Sequence, residues 1–489
     1  MQSLWRLACL AAVATFGFLW LVAGNLYIRL LDEGIYLEGA ARIVDGQAPY
    51  RDFFALTGPG CFWLVAGLFQ LLGVKLWVAR LLPVTELALL AGAVFWLTAR
   101  MTSRLFGALL AIAYLSLMAV NVDTMVVNHR LDSAALAVLA VAASSGGRPA
   151  MAGVCAAAAA WATPPMLVVS FALFYFERAK WRRFLLGMAA VSLPALLWLA
   201  VQGALIPMFQ HLLWSGVNYA GANRAAYGSI VGGWAAIFSD ASGGELVVRA
   251  IFTGYCLMLP AILPAVVLVA SLLRVWRTRE EWVLVVCAAA MLASSYPRPN
   301  ITNLRYLCAL FVVLSGILLF RFQYWRIAMG GATFLSAVLL LYAGTNIGKG
   351  ELLETPRGVV RFPVESVAMQ RMLQKHVRPG DSMFVFPYEP VASFLVGGRN
   401  PARYSFLQPG MMTVADEQAA LEDLKRQPPR WVYYSEVPPE AYLRIWPTSD
   451  PTRLHMPQIE GFVRAQYREV DRVEMNGLPF RLLGFTGAR

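Results

Sequence analysis

A chain crossed again and again by apolar runs of about 18 residues has few folds open to it. Inside lipid, each run must satisfy its own backbone hydrogen bonds. The first such run here is Leu7–Leu31. It is too long for a signal-peptide core and shows no small-residue cleavage site before a polar start, so it reads as a retained anchor. Further candidates are Leu81–Ala99, Leu105–Val120, Leu131–Ala143, Ala150–Ala162, Met166–Phe176, Phe184–Val201, Leu246–Leu273, Trp282–Ser294, Leu304–Phe320 and Ile327–Ala343. The fold class expected is an α-helical polytopic membrane protein of about eleven spans. A composition 58% hydrophobic and only 14% charged agrees, since soluble domains carry far more charge.

The arginines set the orientation. With Met1 cytoplasmic and the helices alternating, five clusters fall in cytoplasmic turns: Arg100/Arg104, Arg148, Arg178/Lys180/Arg182/Arg183, Arg274/Arg277/Arg279 and Arg321/Arg326. Asp32, the Gly203–Glu245 loop and everything after Ala343 then face outside. The net charge of +12 is largely this topological excess, so no nucleic-acid partner is expected. The lipid bilayer is the partner the sequence does require. The six cysteines include none beyond Cys308, and with four scattered histidines no spacing suggests a metal site or a cofactor.

Two domains are expected: a membrane domain over 1–344 and an outer α/β domain over 345–489, where the composition turns polar. In the latter, Ser382–Phe386 and Arg430–Tyr434 read as buried strands and Glu417–Arg426 as a helix. Arg468–Phe485 reads as a hairpin about Asn476-Gly477. The first outer loop, 32–80, is too apolar for a solvated loop. Glu33–Val44 places Ile35, Tyr36, Ala40, Ile43 and Val44 on one side and Glu38 and Arg42 elsewhere, which suits an interfacial helix. Cys61–Leu72 reads as a second one; the alternative, a short span, would move every later arginine cluster to the other side.

Within this loop lies Asp32-Glu33-Gly34-Ile35-Tyr36, at the exit of the first span. Carboxylates at a membrane boundary are costly unless used, and a base there would meet both lipid and water. Asp32 and Tyr36 share a helical face, whereas Asp32 and Glu33 point about 100° apart. One acid therefore serves as base and the other supports it, unless both merely favour the helix dipole. A transferase acting on a lipid phosphate also needs cations on the same face. Arg51, Arg80, His129, Arg130, Arg224, Arg249, Arg298 and Arg305 are placed there, and arginine binds phosphate oxygens in bidentate fashion. Each has a plainer reading as a headgroup contact, a cap or a local ion pair, such as Arg51 with Asp52. Arg298 and Arg305 flank an expected polar turn, Asn300–Asn303. The aromatic-rich loop Gln210–Tyr219 could cover a sugar or lipid groove.

The Asp32-Glu33-x-x-Tyr36 pattern, followed by Gly46, Pro49-Tyr50-Arg51-Asp52 and Gly58-Pro59, resembles the first outer loop of GT-C membrane glycosyltransferases. The nearest resemblance is to the bacterial protein-mannosyltransferase and lipid A aminoarabinose transferase group. It implies many spans with two interfacial helices and a place in the bacterial inner membrane. It also implies a polyprenyl-phosphate sugar as donor, with a glycan, lipid or protein as acceptor and no cofactor. Asp32 matches the general base and Tyr36 an aromatic near the donor. The chain departs from the pattern at Ala55-Leu56-Thr57-Gly58 and at Thr163-Pro164, where relatives often carry lysine or glutamine. Phosphate contacts are then expected from Arg51, Arg80, His129, Arg130, Arg298 and Arg305. A flippase of a lipid-linked sugar, or a non-catalytic envelope-assembly subunit, would share much of this composition.

Overall fold

The computed structural model describes residues 2–23, 32–119, 124–239, 241–345, 348–475 and 477–487. Residues 24–31 of the first expected span, Val120 and the turn residue Asn476 lie outside the described residues. By its contacts the chain forms two compact units. One comprises Met1–Asn25, Arg80–Leu197 and Ala225–Ile347; the other comprises Leu26–Ala79, Trp198–Arg224 and Gly348–Arg489.

The first unit is helical. Every stretch expected to span contains a helix, and most boundaries agree within a few residues. Among the described residues, five helices are long and apolar enough to cross a membrane: Ser3–Val22, Leu76–Met101, Arg178–Val201, Gly243–Leu272 and Trp325–Gly344. A sixth is the pair Ile301–Leu307 and Ala309–Phe320, bent by 68°. Arg104–Ala119, Pro149–Ala162 and Pro164–Phe176 are apolar but shorter. The expected polar turn at Asn300–Asn303 is instead a helix start, because the Asn300 side chain accepts the Asn303 N–H at 3.1 Å and caps Ile301–Leu307.

Small residues let these helices approach closely. A Cβ on Gly153 would strike the Phe184 carbonyl, and one on Gly187 would strike that of Ala150. In lipid, where apolar burial drives little association, such backbone proximity supplies the packing. The arginines expected on one face do gather at one end of this unit. Arg100 pairs with Glu280 at 2.6 Å, Arg104 reaches Ser3 at 3.3 Å and Arg148 lies over the Trp5 ring. Trp5 stacks on Trp96 at 4.5 Å, and Arg321 pairs with Glu281. Arg80 and Arg100 lie on one helix and are separated by about 30 Å at 1.5 Å per residue, close to the thickness of a hydrocarbon core.

The second unit holds the sheet. Strands β1 (Glu351–Thr355) and β2 (Gly358–Phe362) form an antiparallel hairpin that the sequence reading did not anticipate. Strands β3 (Met383–Phe386), β4 (Trp431–Ser435), β5 (Tyr467–Met475) and β6 (Leu478–Phe485) make a sheet in the order β3-β4-β6-β5. β3 and β4 are parallel, while β4–β6 and β5–β6 are antiparallel. The expected strands and the hairpin are present, and the helix expected over Glu417–Arg426 runs Val414–Arg426. One core cluster joins Phe384, Phe386, Leu424 and Val432 of the tail with Phe54 of the first loop and Ala222. Gln210–Tyr219 is helical rather than an open loop, with Leu205–Trp214 continuing into a π-helical turn at Ser215–Tyr219.

Glu33–Val44 and Gly60–Leu72 are both helices, as expected. The polar side of the first does not face water, however. Glu38 and Arg42 are buried, because tail residues cover them. Arg42 donates to Ala402 O at 3.0 Å, to Asp52 O at 3.1 Å and to Gln47 Oε1 at 2.6 Å. An amphipathic pattern alone does not say whether its polar face meets solvent or protein.

Candidate functional site

In the second unit, Asp32 lies just before the first turn of Glu33–Val44, with its backbone carbonyl accepting the Ile35 N–H at 3.0 Å. Its side chain makes no capping hydrogen bond. Instead Oδ1 accepts the phenol of Tyr388 at 2.6 Å. Asp32 is exposed, and its Oδ2 takes no hydrogen bond among the described residues. Glu33 is only 1% exposed. Of the two acids, Asp32 alone therefore presents an oxygen to solvent. Tyr36 is buried, its ring 5.3 Å from Phe62.

Tyr388 is held by Phe406 at 5.5 Å and Trp446 at 5.6 Å. Burial first, then the charge and hydrogen bond of Asp32, keep its phenol well above the ordinary value, so it remains a donor. Gly34 explains how the tail comes so near. A Cβ there would overlap the backbone of Val391, which begins the helix Val391–Val396. The glycine in Asp32-Glu33-Gly34 is thus a docking notch.

Arg51 is engaged locally. It binds both oxygens of Asp52, at 3.0 and 2.7 Å, and the Gln202 carbonyl at 2.8 Å. Asp52 also accepts the Ala48 N–H at 2.7 Å. Tyr50, at a φ of 70°, is pinned by its phenol to Thr57 O at 2.5 Å. The Pro49-Tyr50-Arg51-Asp52 stretch is accordingly a braced turn that fixes the first loop.

The remaining candidates lie in the first unit, at the helix ends opposite Arg100 and Arg321. Arg80 is 2% exposed and donates to Met125 O at 2.8 Å. His129 opens the helix His129–Ser145, where the Asn128 side chain accepts the Arg130 N–H at 2.9 Å. The His129 Nδ1 lies 2.8 Å from Thr163 Oγ1, and that hydroxyl donates to His129 O at 3.0 Å. Since the single hydroxyl proton is spent on the carbonyl, Nδ1 must carry the proton of the ring. Thr163 thus orients His129. Arg298 is partly buried, and Arg305 is 1% exposed on the short helix Ile301–Leu307. That helix packs on His129–Ser145. Among the described residues, no group of three or more His, Cys, Asp or Glu side chains is placed to hold a metal ion.

No protein-family model and no curated protein matches the sequence. The fold, by contrast, has relatives among solved structures. ArnT from Cupriavidus metallidurans, a lipid A aminoarabinose transferase, aligns in its apo state over 97% of each chain, with a TM-score of 0.58 and 12% identity. ArnT bound to undecaprenyl phosphate aligns over 98% of this chain and 97% of that one, with a TM-score of 0.55 and 14% identity. The oligosaccharyltransferase of Archaeoglobus fulgidus, in complex with zinc and sulfate, aligns over 92% of this chain and 70% of its own, with a TM-score of 0.51 and 11% identity. The chain has the GT-C glycosyltransferase fold.

A GT-C fold together with helices long and apolar enough to span makes this an integral membrane protein. Sequence reasoning missed Tyr388 and the burial of Glu38 and Arg42. Both had a signal. Tyr388 follows an expected strand, at the carboxyl end where α/β sheets place functional groups. Glu38 and Arg42 stand four apart, the spacing of a helical ion pair.

Proposed function

We propose that this chain transfers a sugar, hexosyl or pentosyl, from a polyprenyl-phosphate donor to an acceptor outside the membrane, with Asp32 as general base. The observation that carries this reading is the Asp32 carboxylate, one oxygen held by Tyr388 and the other open to solvent. A GT-C neighbour bound to undecaprenyl phosphate supports the class of donor. Asp32 takes the proton of an acceptor hydroxyl or amine as that atom bonds to the anomeric carbon. The bond from that carbon to the phosphate oxygen breaks, and polyprenyl phosphate departs with the electron pair. Arg80, His129, Arg130, Arg298 and Arg305 are assigned to the phosphate, and Arg51 would join them only by releasing Asp52. Glu33 supports the base from its buried position, and Tyr36 lines the donor side.

In this reading 1–344 is the membrane domain, with 32–80 as its catalytic loop, and 345–489 is the outer domain. The chain sits in a bacterial inner membrane with its N-terminus cytoplasmic. The test is release of polyprenyl phosphate from a panel of polyprenyl-phosphate sugars by the protein in nanodiscs. Asp32→Asn should lower turnover by about a hundredfold or more while the protein stays folded. Full activity in that variant would remove Asp32 from the chemistry.

A further inference from the structure

A cavity of about 260 Å³ opens in the tail at the carboxyl ends of the parallel strands β3 and β4. Open α/β sheets bind ligands at such ends. Its walls include Phe386, Tyr434, Glu436, Tyr442, His455 and Glu460. Phe386, itself 3% exposed, stacks on Tyr434 at 5.5 Å with the planes 8° apart and so backs the Tyr434 ring at the cavity wall. Beside it, Glu436 is oriented by Arg481 at 2.9 Å, and Glu460 lies 3.4 Å from His455. A flat ring beside fixed carboxylates suits a pyranose. Its C–H face rests on the ring, and its hydroxyls donate to the carboxylates. The same carboxylates disfavour an anion. The volume falls below the roughly 300–1,000 Å³ of a drug-sized pocket, which leaves room for a single sugar ring.

The cavity also has an address. Its wall residue Tyr442 stacks on Trp446 at 6.1 Å, Trp446 packs edge-on against Tyr388 at 5.6 Å, and Tyr388 donates to Asp32 at 2.6 Å. A hydroxyl that loses its proton to Asp32 must come within about 3 Å of it. Two aromatic side chains stand between, so a sugar in the cavity is not the one that reacts.

We propose that this cavity is an acceptor subsite holding a neutral sugar unit of a glycan, more than one unit along the chain from the residue whose hydroxyl Asp32 activates. The proposal rests on the general-base reading of Asp32 and narrows the acceptor to a saccharide. Binding of the distant unit would raise the rate by anchoring the reacting one.

The test is calorimetric titration of the full chain in nanodiscs with gluco-, manno- and galacto-configured trisaccharides. One configuration should bind. Tyr434→Ala, which removes the flat wall, and Glu436→Gln, which keeps the shape and loses the charge, should each weaken it by about tenfold. In the transfer assay the acceptor KM should rise in parallel. Glu436→Gln is isosteric and guards against misfolding in the alanine variant. Equal binding by the wild type and both variants would overturn the subsite, as would binding of a peptide or a lipid with no saccharide bound. Binding needs no chemistry, so the two readings separate. A wild type that binds trisaccharide but transfers nothing counts against Asp32 as base and not against the cavity. Transfer with an unaltered KM in both variants counts against the cavity alone.

Discussion

Replacing Tyr388 with phenylalanine deletes one oxygen and leaves the ring between Phe406 and Trp446. The lost contact is a 2.6 Å hydrogen bond to a carboxylate. Bonds to charged groups contribute about 1.5–3 kcal/mol. Asp32 is exposed, so water replaces part of the interaction and the lower end applies. About 1.4 kcal/mol corresponds to about tenfold in rate. If Tyr388 positions the base, Tyr388→Phe should lower kcat for polyprenyl phosphate release by about this factor, with the donor KM unchanged and stability lower by no more than about 1.5 kcal/mol. That split separates positioning from packing, because a purely structural tyrosine would lose stability and leave kcat intact. Tyr388→Ala, which empties the aromatic cage, should lower both. A Tyr388→Phe protein with wild-type kcat would refute the assignment.

Other expectations concern the tail and the loop together. Arg42→Ala strands the carbonyls of Ala402 and Asp52 and removes a cation lying 5.1 Å over Phe53. It should cost about 2–4 kcal/mol and speed hydrogen exchange in both 45–57 and 400–405, while lysine, lacking the planar fork, should not rescue it. Glu38 and Glu389 are each pushed from 4.5 up to about 7, by burial above all. Raised carboxyls bind protons more tightly folded than unfolded, so stability should fall as pH rises from about 5 to about 7 and then level off. For Glu389 the shift is worth on the order of 3 kcal/mol at 1.36 kcal/mol per unit. Melting in nanodiscs across pH 5–8 measures this, and Glu389→Gln should flatten part of the slope. A flat wild-type profile would contradict it.

Much of this was legible because hydropathy and period report directly on burial. Long apolar runs located the long helices of the first unit, short apolar runs located β3 and β4, and alternation located the β5–β6 hairpin. What stayed hidden depends on partners far away in sequence. The stretch Leu304–Phe320, read as one span, is divided at Cys308 into two helices bent by 68°, and its local sequence did not announce the break. The burial of Glu38 and Arg42 beneath residues near 400 could not be read from a helix whose polar face looks ready for water. At the candidate site, Asp32 stood out as a costly charge at a membrane exit. Its partner Tyr388 is 356 positions away and is an ordinary tyrosine in composition. The braced turn at Arg51 and Asp52 was readable as one of two options, since adjacent opposite charges pair or address a ligand equally well until the loop is folded.

The second compact unit is drawn from near the beginning and from the end of the chain, joined by the short stretch Trp198–Arg224, with the other intervening helices belonging to the first unit. Roughly 270 residues separate Ala79 from Gly348, which at 5–20 residues per second is on the order of tens of seconds of synthesis. Throughout that interval the loop bearing Asp32 has been made, yet Tyr388, Val391 and Ala402 do not exist. Gly34 has nothing to dock against, and Arg42 has only its local contacts. Asp32 therefore acquires its setting last of all, after the ribosome has delivered the helices of the other unit. A nascent chain stalled before the tail would carry every spanning helix and still lack a finished site.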